Sequence, residues 1–143
     1  MPNPASARVK KLYAISLKQP WAALLVHGLK TVEVRRWATA RVGRVLIHAS
    51  RTADKRPEAW KLVPPELNAS ARLLGGIVGS AELIECVAYK TVESFRDDQP
   101  RHLNDPTWFV GPVLYGFAFA NAATLPFRPL SGWVRFFPVT LEG

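Results

Sequence analysis

The sequence predicts an α+β domain, a small β-barrel flanked by short helices. Three observations lead there. Strand-like runs recur at irregular spacing, helical spacing shows in only two or three short stretches, and 143 residues with 48% apolar side chains suffice for one buried core. The apolar share also excludes a disordered chain.

The elements follow in chain order. Residues 1–11 are polar and basic with two prolines and read as a flexible basic tail, which leaves 12–143 as a single domain. Leu12 to Leu17 has the composition of a short strand. Pro20 suits a first helical position, and Trp21, Leu24 and Leu25 recur at helical spacing, so a short helix with one buried face runs from about Pro20 to His27. Gly28 is placed to end it in a left-handed cap. From Thr31 the pattern alternates. Thr31, Glu33, Arg35 and Trp37 fall on one side of a strand and Val32 and Val34 on the other.

Gly43 precedes a strand from Arg44 to Ser50 that turns polar at its end. Asp54 to Leu62 reads as a helix with Pro57 early in it, interrupted by Pro64 and Pro65. Gly75-Gly76 opens a long strand from Ile77 to Tyr89, with Gly79 as a bulge position. Thr91 to Pro106 reads as loop with a helical turn at Val92 to Arg96. Tyr115 to Ala120 and Trp133 to Val139 are the last two strands.

Charge divides the chain unevenly. Residues 1–56 hold twelve basic side chains against two acidic ones, Glu33 and Asp54, a net of +10, whereas residues 57–143 carry a net of −2. Gathered on one face, the first part would attract a polyanion; spread out, it would be an ordinary solvated surface. Cys86 is the one cysteine and sits in an apolar run, so no internal disulfide or cysteine metal site is expected and the thiol reads as buried and inert. No apolar run is long enough to cross a membrane, and Met1 to Arg8 lacks a signal peptide's hydrophobic stretch. These features point to a cytoplasmic protein with no membrane partner and no cofactor. A monomer is expected, and protein partners are not legible.

Three sets of residues are candidates for chemistry. Lys30, Glu33 and Arg35 place a cation, an anion and a second cation at one corner and strand face, a set that binds phosphate and a base or hydroxyl, or forms a surface ion-pair ladder. Among the aromatics Trp21, Trp37 and Trp108 lie near basic residues. Trp37 shares parity with Glu33 and Arg35 and is the better base-stacking candidate, while Trp21, on the apolar helix face, reads as core ahead of a stacking site. Tyr115, Phe117 and Phe119 read as core. His27, His48 and His102 lack ligand spacing, so no metal is expected; His48 could line a cleft beside Ser50 and Arg51. Lys18, Arg36 and Arg41 complete the candidate phosphate contacts.

The ordered segments Gln19-Pro20-Trp21-Ala22, Gly28-Leu29-Lys30, Glu33-Val34-Arg35, Trp37 and Ile47-His48-Ala49-Ser50 resemble the ASCH (activating signal cointegrator homology) domain family, whose signature is Gly-x-Lys-x-x-Glu-x-Arg after a short helix. Ile77-Val78-Gly79, Trp108-Phe109-Val110-Gly111-Pro112 and Ser131-Gly132-Trp133 extend the likeness from about Ala14 to Pro138. The resemblance implies a barrel similar to the PUA domain with a cleft beside the signature, and binding of RNA or DNA. It also implies a rival, a small hydrolase that cleaves RNA or deacylates a modified nucleoside; by residue chemistry its catalytic pair here would be Lys30, stabilising developing negative charge, and Glu33, as acid or base. In the deacylating type the lysine works with a threonine three positions later. Glu33 stands there instead, so the expectation is a nucleic-acid-binding domain that prefers RNA or unpaired strands.

Overall fold

The computed structural model describes residues 10–141. Strand β1 (Lys10–Leu17) leads through helix α1 (Trp21–Val26) to β2 (Val32–Arg35) and β3 (Gly43–Ala49). A single helical turn α2 (Pro57–Trp60) and two 3₁₀ turns precede β4 (Gly76–Tyr89). Helices α3 (Val92–Asp97) and α4 (Gln99–His102) then lead to β5 (Leu114–Pro129) and β6 (Phe136–Leu141). Lys10 and Lys11, read above as the end of a tail, are the first residues of β1. The rest of that segment, 1–9, lies outside the described residues.

The strands form one sheet in the order β2-β5-β4-β3-β1-β6, curled into a half-barrel. Among the described residues only β1 and β3 pair in parallel, with Ser16 opposite His48. The edge strands β2 and β6 do not share a ladder, so side chains close the curl. Trp37, just past β2, packs edge-on against Phe136 of β6 with ring centroids 5.5 Å apart, and Arg135 lies over its ring. Arg35 of β2 reaches across to β1, donating from Nη2 to the Ser16 carbonyl at 2.7 Å.

Helix α1 fills the concave side. All six of its residues are buried, not one face as its spacing suggests, because the sheet wraps around a helix too short to reach solvent. Leu24 and Leu25 join Ile15, Ile47, Leu83 and Phe117 in the main core. Buried Gln19 locks the helix start: its Oε1 accepts the Ala23 N–H and its amide donates to the Ser70 and Leu73 carbonyls. A smaller core on the other face joins Ala14, Leu46, Ile77, Phe137 and Val139. Cys86 is half-buried against the main core.

Candidate functional site

The exits of β1 and β3 lie side by side, and the start of α1 and the Glu33–Arg35 face of β2, the same face as Phe117 and Tyr115 of β5, border them. The result is a hollow of about 310 Å³ lined by Ser16, Lys18, Trp21, Glu33, Val34, Arg35, Ser50, Asp54, Arg56 and Asn104. Glu33 sits between two cations, 3.3 Å from Lys30 Nζ and 3.1 Å from Arg35 Nη2. Lys30 itself lies beneath the wall. Its side chain is 1% exposed, its amine donates to the His102 carbonyl at 2.7 Å and lies 4.8 Å from the centre of the Trp21 ring. Burial lowers the Lys30 pKa from its ordinary value, while Glu33 pulls it back up. His102 is buried and neutral in this geometry: Nε2–H donates to the Phe95 carbonyl, Nδ1 accepts the Asn104 N–H, and burial lowers its pKa. Arg35 Nε is buried without a hydrogen-bond partner among the described residues, while its Nη2 meets Glu33 and the Ser16 carbonyl.

Asp54 builds the opposite wall. Its carboxylate accepts from the Trp21 indole at 2.8 Å and from Arg56 Nη2 at 2.6 Å. Burial by itself would raise this carboxyl; the hydrogen bonds from Arg56 and Trp21 outweigh it and bring it from 3.8 down to about 2. The Arg56 guanidinium lies 3.6 Å from the centre of the Trp108 ring, so the arginine is held over the hollow by a carboxylate on one side and an indole face on the other. Both acids of the hollow are thus ion-paired, and Lys18 has no ion pair among the described residues.

Two further hollows adjoin this one. Lys18, Asp54 and Arg56 continue into a space of about 430 Å³ that also holds Lys55. Ser16 and Ser50 continue into another of about 420 Å³ with His48, Arg51, Gly132, Trp133 and Val134. Five cations, Lys18, Arg35, Arg51, Lys55 and Arg56, therefore line three hollows that share walls.

Several candidates fall elsewhere. Trp37 lies two residues beyond the end of β2 and lines none of the three hollows; its ring packs edge-on to Phe117, the ladder partner of Glu33, at 4.9 Å. Arg41 lies 4.0 Å from the centre of the Tyr13 ring, beside Trp37 on another part of the surface. Arg36 is exposed but lines none of the three hollows. Trp21 is core and site at once, 6% exposed with its N–H aimed at Asp54. Ser50 and Arg51 lie at the hollows, and His48 lies 1% exposed at their floor. Sequence reasoning missed Asp54, Arg56, Ser16 and Asn104. A signal did exist for Asp54: it is one of two acids in a strongly basic stretch, two residues before an arginine that precedes proline.

The geometry has counterparts. A family model described as the ASCH domain matches residues 15–122. Activating signal cointegrator 1 of Mus musculus is 37% identical over 99 residues, 59% of this chain and 16% of that protein. The Homo sapiens protein of the same name is 32% identical over 111 residues, 68% of this chain and 18% of its own length. The chain thus spans less than a fifth of the length of these relatives. Among solved structures, ASCH from Zymomonas mobilis superposes with a TM-score of 0.59 at 19% identity, covering 82% of this chain and 73% of that one. A variant of that protein gives 0.58 at 20%, covering 85% and 77%. At such identity the likeness speaks for the fold.

Proposed function

This chain belongs to the ASCH domain family, and from that premise we propose that it is a nucleic-acid-binding domain that prefers RNA or unpaired strands. One observation carries the reading. The three adjoining hollows present five cations against two carboxylates, and both carboxylates are already engaged by neighbouring cations. A phosphate chain laid along them meets Lys18, Arg51 and Lys55 as unpaired charges and the arginines at 35 and 56 as held ones. Glu33 and Asp54, with Ser16, Ser50 and Asn104, supply acceptors and donors for a base edge or hydroxyl. Lys30 acts from beneath, fixing Glu33 and the Trp21 ring, in place of the direct phosphate contact its sequence position suggested.

Fluorescence anisotropy with labelled single-stranded RNA, single-stranded DNA and duplex tests this. Contact with five phosphates on a single strand gives a log–log salt slope of about −3.5, so affinity should fall about 100-fold between 50 and 200 mM salt. Binding that ignores salt, or no binding at 50 mM, would remove the reading.

A second reading, a hydrolase, has one contact in its favour. His48 Nε2–H donates to the Leu130 carbonyl at 2.7 Å, which leaves Nδ1 to accept the Ser16 hydroxyl at 2.9 Å. A serine beside an oriented imidazole is the pairing an activated nucleophile needs. Turnover of RNA or acetylated cytidine that Ser16→Ala abolishes, with oligomer binding retained, would favour it; no turnover by either protein leaves binding alone.

A further inference from the structure

We infer that Trp133 is the side chain on which an unpaired base of the bound strand stacks, beside Arg51 in the hollow that adjoins Glu33 and Arg35. The inference rests on the nucleic-acid reading above and adds the residue that would make it selective for single strands.

Trp133 is 75% exposed, and of the five tryptophans it alone is exposed. The other four are packed: Trp21 against Trp108, Trp37 against Phe117 and Phe136, and Trp60 against the main core. Val134 beside it is 74% exposed, so the pair forms an apolar wall in water. The sequence reading placed Trp133 at the start of the last strand, but β6 begins at Phe136 and leaves both residues off the sheet.

The segment that carries the ring is anchored. His48, at the floor of the hollow, donates to the Leu130 carbonyl. Gly132 lies so close to the imidazole that a Cβ there would come within 2.7 Å of His48 Cε1, a contact no other residue tolerates without movement. An exposed aromatic on an anchored backbone is a ready stacking surface, since little ordering is needed when a base arrives.

Charge identifies the occupant. Arg51 lines the same hollow and carries no ion pair among the described residues. Ser16 and Ser50 line both this space and the hollow of Lys18, Arg35 and Arg56. A base on Trp133 therefore has its phosphate beside Arg51 and its neighbours along the basic path. A paired base in a duplex has both faces covered and cannot use the ring.

The test compares wild-type protein with Trp133→Ala and Trp133→Phe on a uridine decamer, the matching deoxy-oligomer and a duplex. Trp133→Ala should weaken single-strand binding about tenfold or more, leave duplex binding and the salt slope unchanged, and recover most of the loss as Trp133→Phe. Wild-type single-strand affinity in Trp133→Ala with the salt slope intact would overturn this inference and leave the nucleic-acid reading standing. Equal losses on duplex and single strand would overturn it as well. If the wild type binds neither form with a salt slope, the underlying reading itself fails. Sedimentation adds one more outcome: a dimer that Trp133→Ala abolishes, with oligomer binding unchanged, would assign the exposed pair to a second copy of the chain.

Discussion

Lys30 turns its charge inward, and that changes what the signature lysine is for. Its ammonium is satisfied by the Glu33 carboxylate, the His102 carbonyl and the Trp21 ring, so removing it strands partners on two different elements. Lys30→Met keeps the apolar stem and deletes the charge. It should destabilise the fold by about 3 kcal/mol in urea denaturation, because the Glu33 and His102 oxygens lose their buried donor. The set Lys30, Glu33 and Arg35 was legible in the sequence because all three lie within one cap and one strand. Asp54 was not, because the sequence reads it as the start of a helix to Leu62, whereas α2 spans only Pro57–Trp60 and leaves Asp54 in the preceding loop, where it meets Trp21 across 33 positions. Its carboxyl is held at about 2 in the folded chain against 3.8, so its contribution to stability is present above 3.8 and disappears as pH falls toward 2. Thermal melts of wild type and Asp54→Asn should therefore differ most above pH 4 and converge toward pH 2. Asp98, also held low by Arg101 and Tyr89 against the opposing effect of burial, contributes to both curves and cancels in the difference.

At the scale of elements, strands with alternating side chains were legible and those without were not. Strand β5 runs from Leu114 to Pro129, but only Tyr115 to Ala120 shows an apolar alternation. Beyond it Ala122, Ala123, Pro126 and Pro129 obscure the pattern, and the ladder with β4 is what holds them extended. The opposite error occurs at β2, where alternation continues on paper to Trp37 but the pairing with β5 stops at Arg35. Gly79 was legible as an irregular position, and the β4–β5 register does shift between Ile77 and Gly79. Its further role, letting α1 close on the sheet, depends on tertiary contacts that no local pattern records. A Cβ at Gly79 would fall 2.3 Å from the Ala123 carbonyl oxygen and 2.5 Å from Val26 Cγ1, so the backbone of β5 or the end of α1 must move. Gly79→Ala should cost about 1–3 kcal/mol, read as a lowered urea midpoint with an unchanged m-value.

For the molecule as a whole, the α+β class and the curled sheet were legible from strand count and spacing, and the charge asymmetry from simple counting. Which cations share a surface was not, since that depends on how the sheet curls. Arg35 lies at the seam between β2 and β1 and faces the main hollow, whereas Arg41 is drawn away by the Tyr13 and Phe136 rings. Net charge alone would make every cation of residues 1–56 equivalent to a polyanion. The adjoining hollows make them unequal, and two charge-matched pairs of substitutions separate these ideas. Lys18 and Arg51 are exposed and line the hollows; Arg36 and Arg44 are exposed and line none of the three. All four are surface residues without ion pairs among the described residues, so each double alanine variant should unfold within about 0.5 kcal/mol per site of wild type. Losing two phosphate contacts lowers the single-strand salt slope by about 1.4, so the Lys18→Ala, Arg51→Ala protein should bind more weakly and respond less steeply to salt. The Arg36→Ala, Arg44→Ala protein has the same net charge and should keep the wild-type slope. Equal slopes for the two variants would mean that the strand responds to total charge and that the hollows do not select its path.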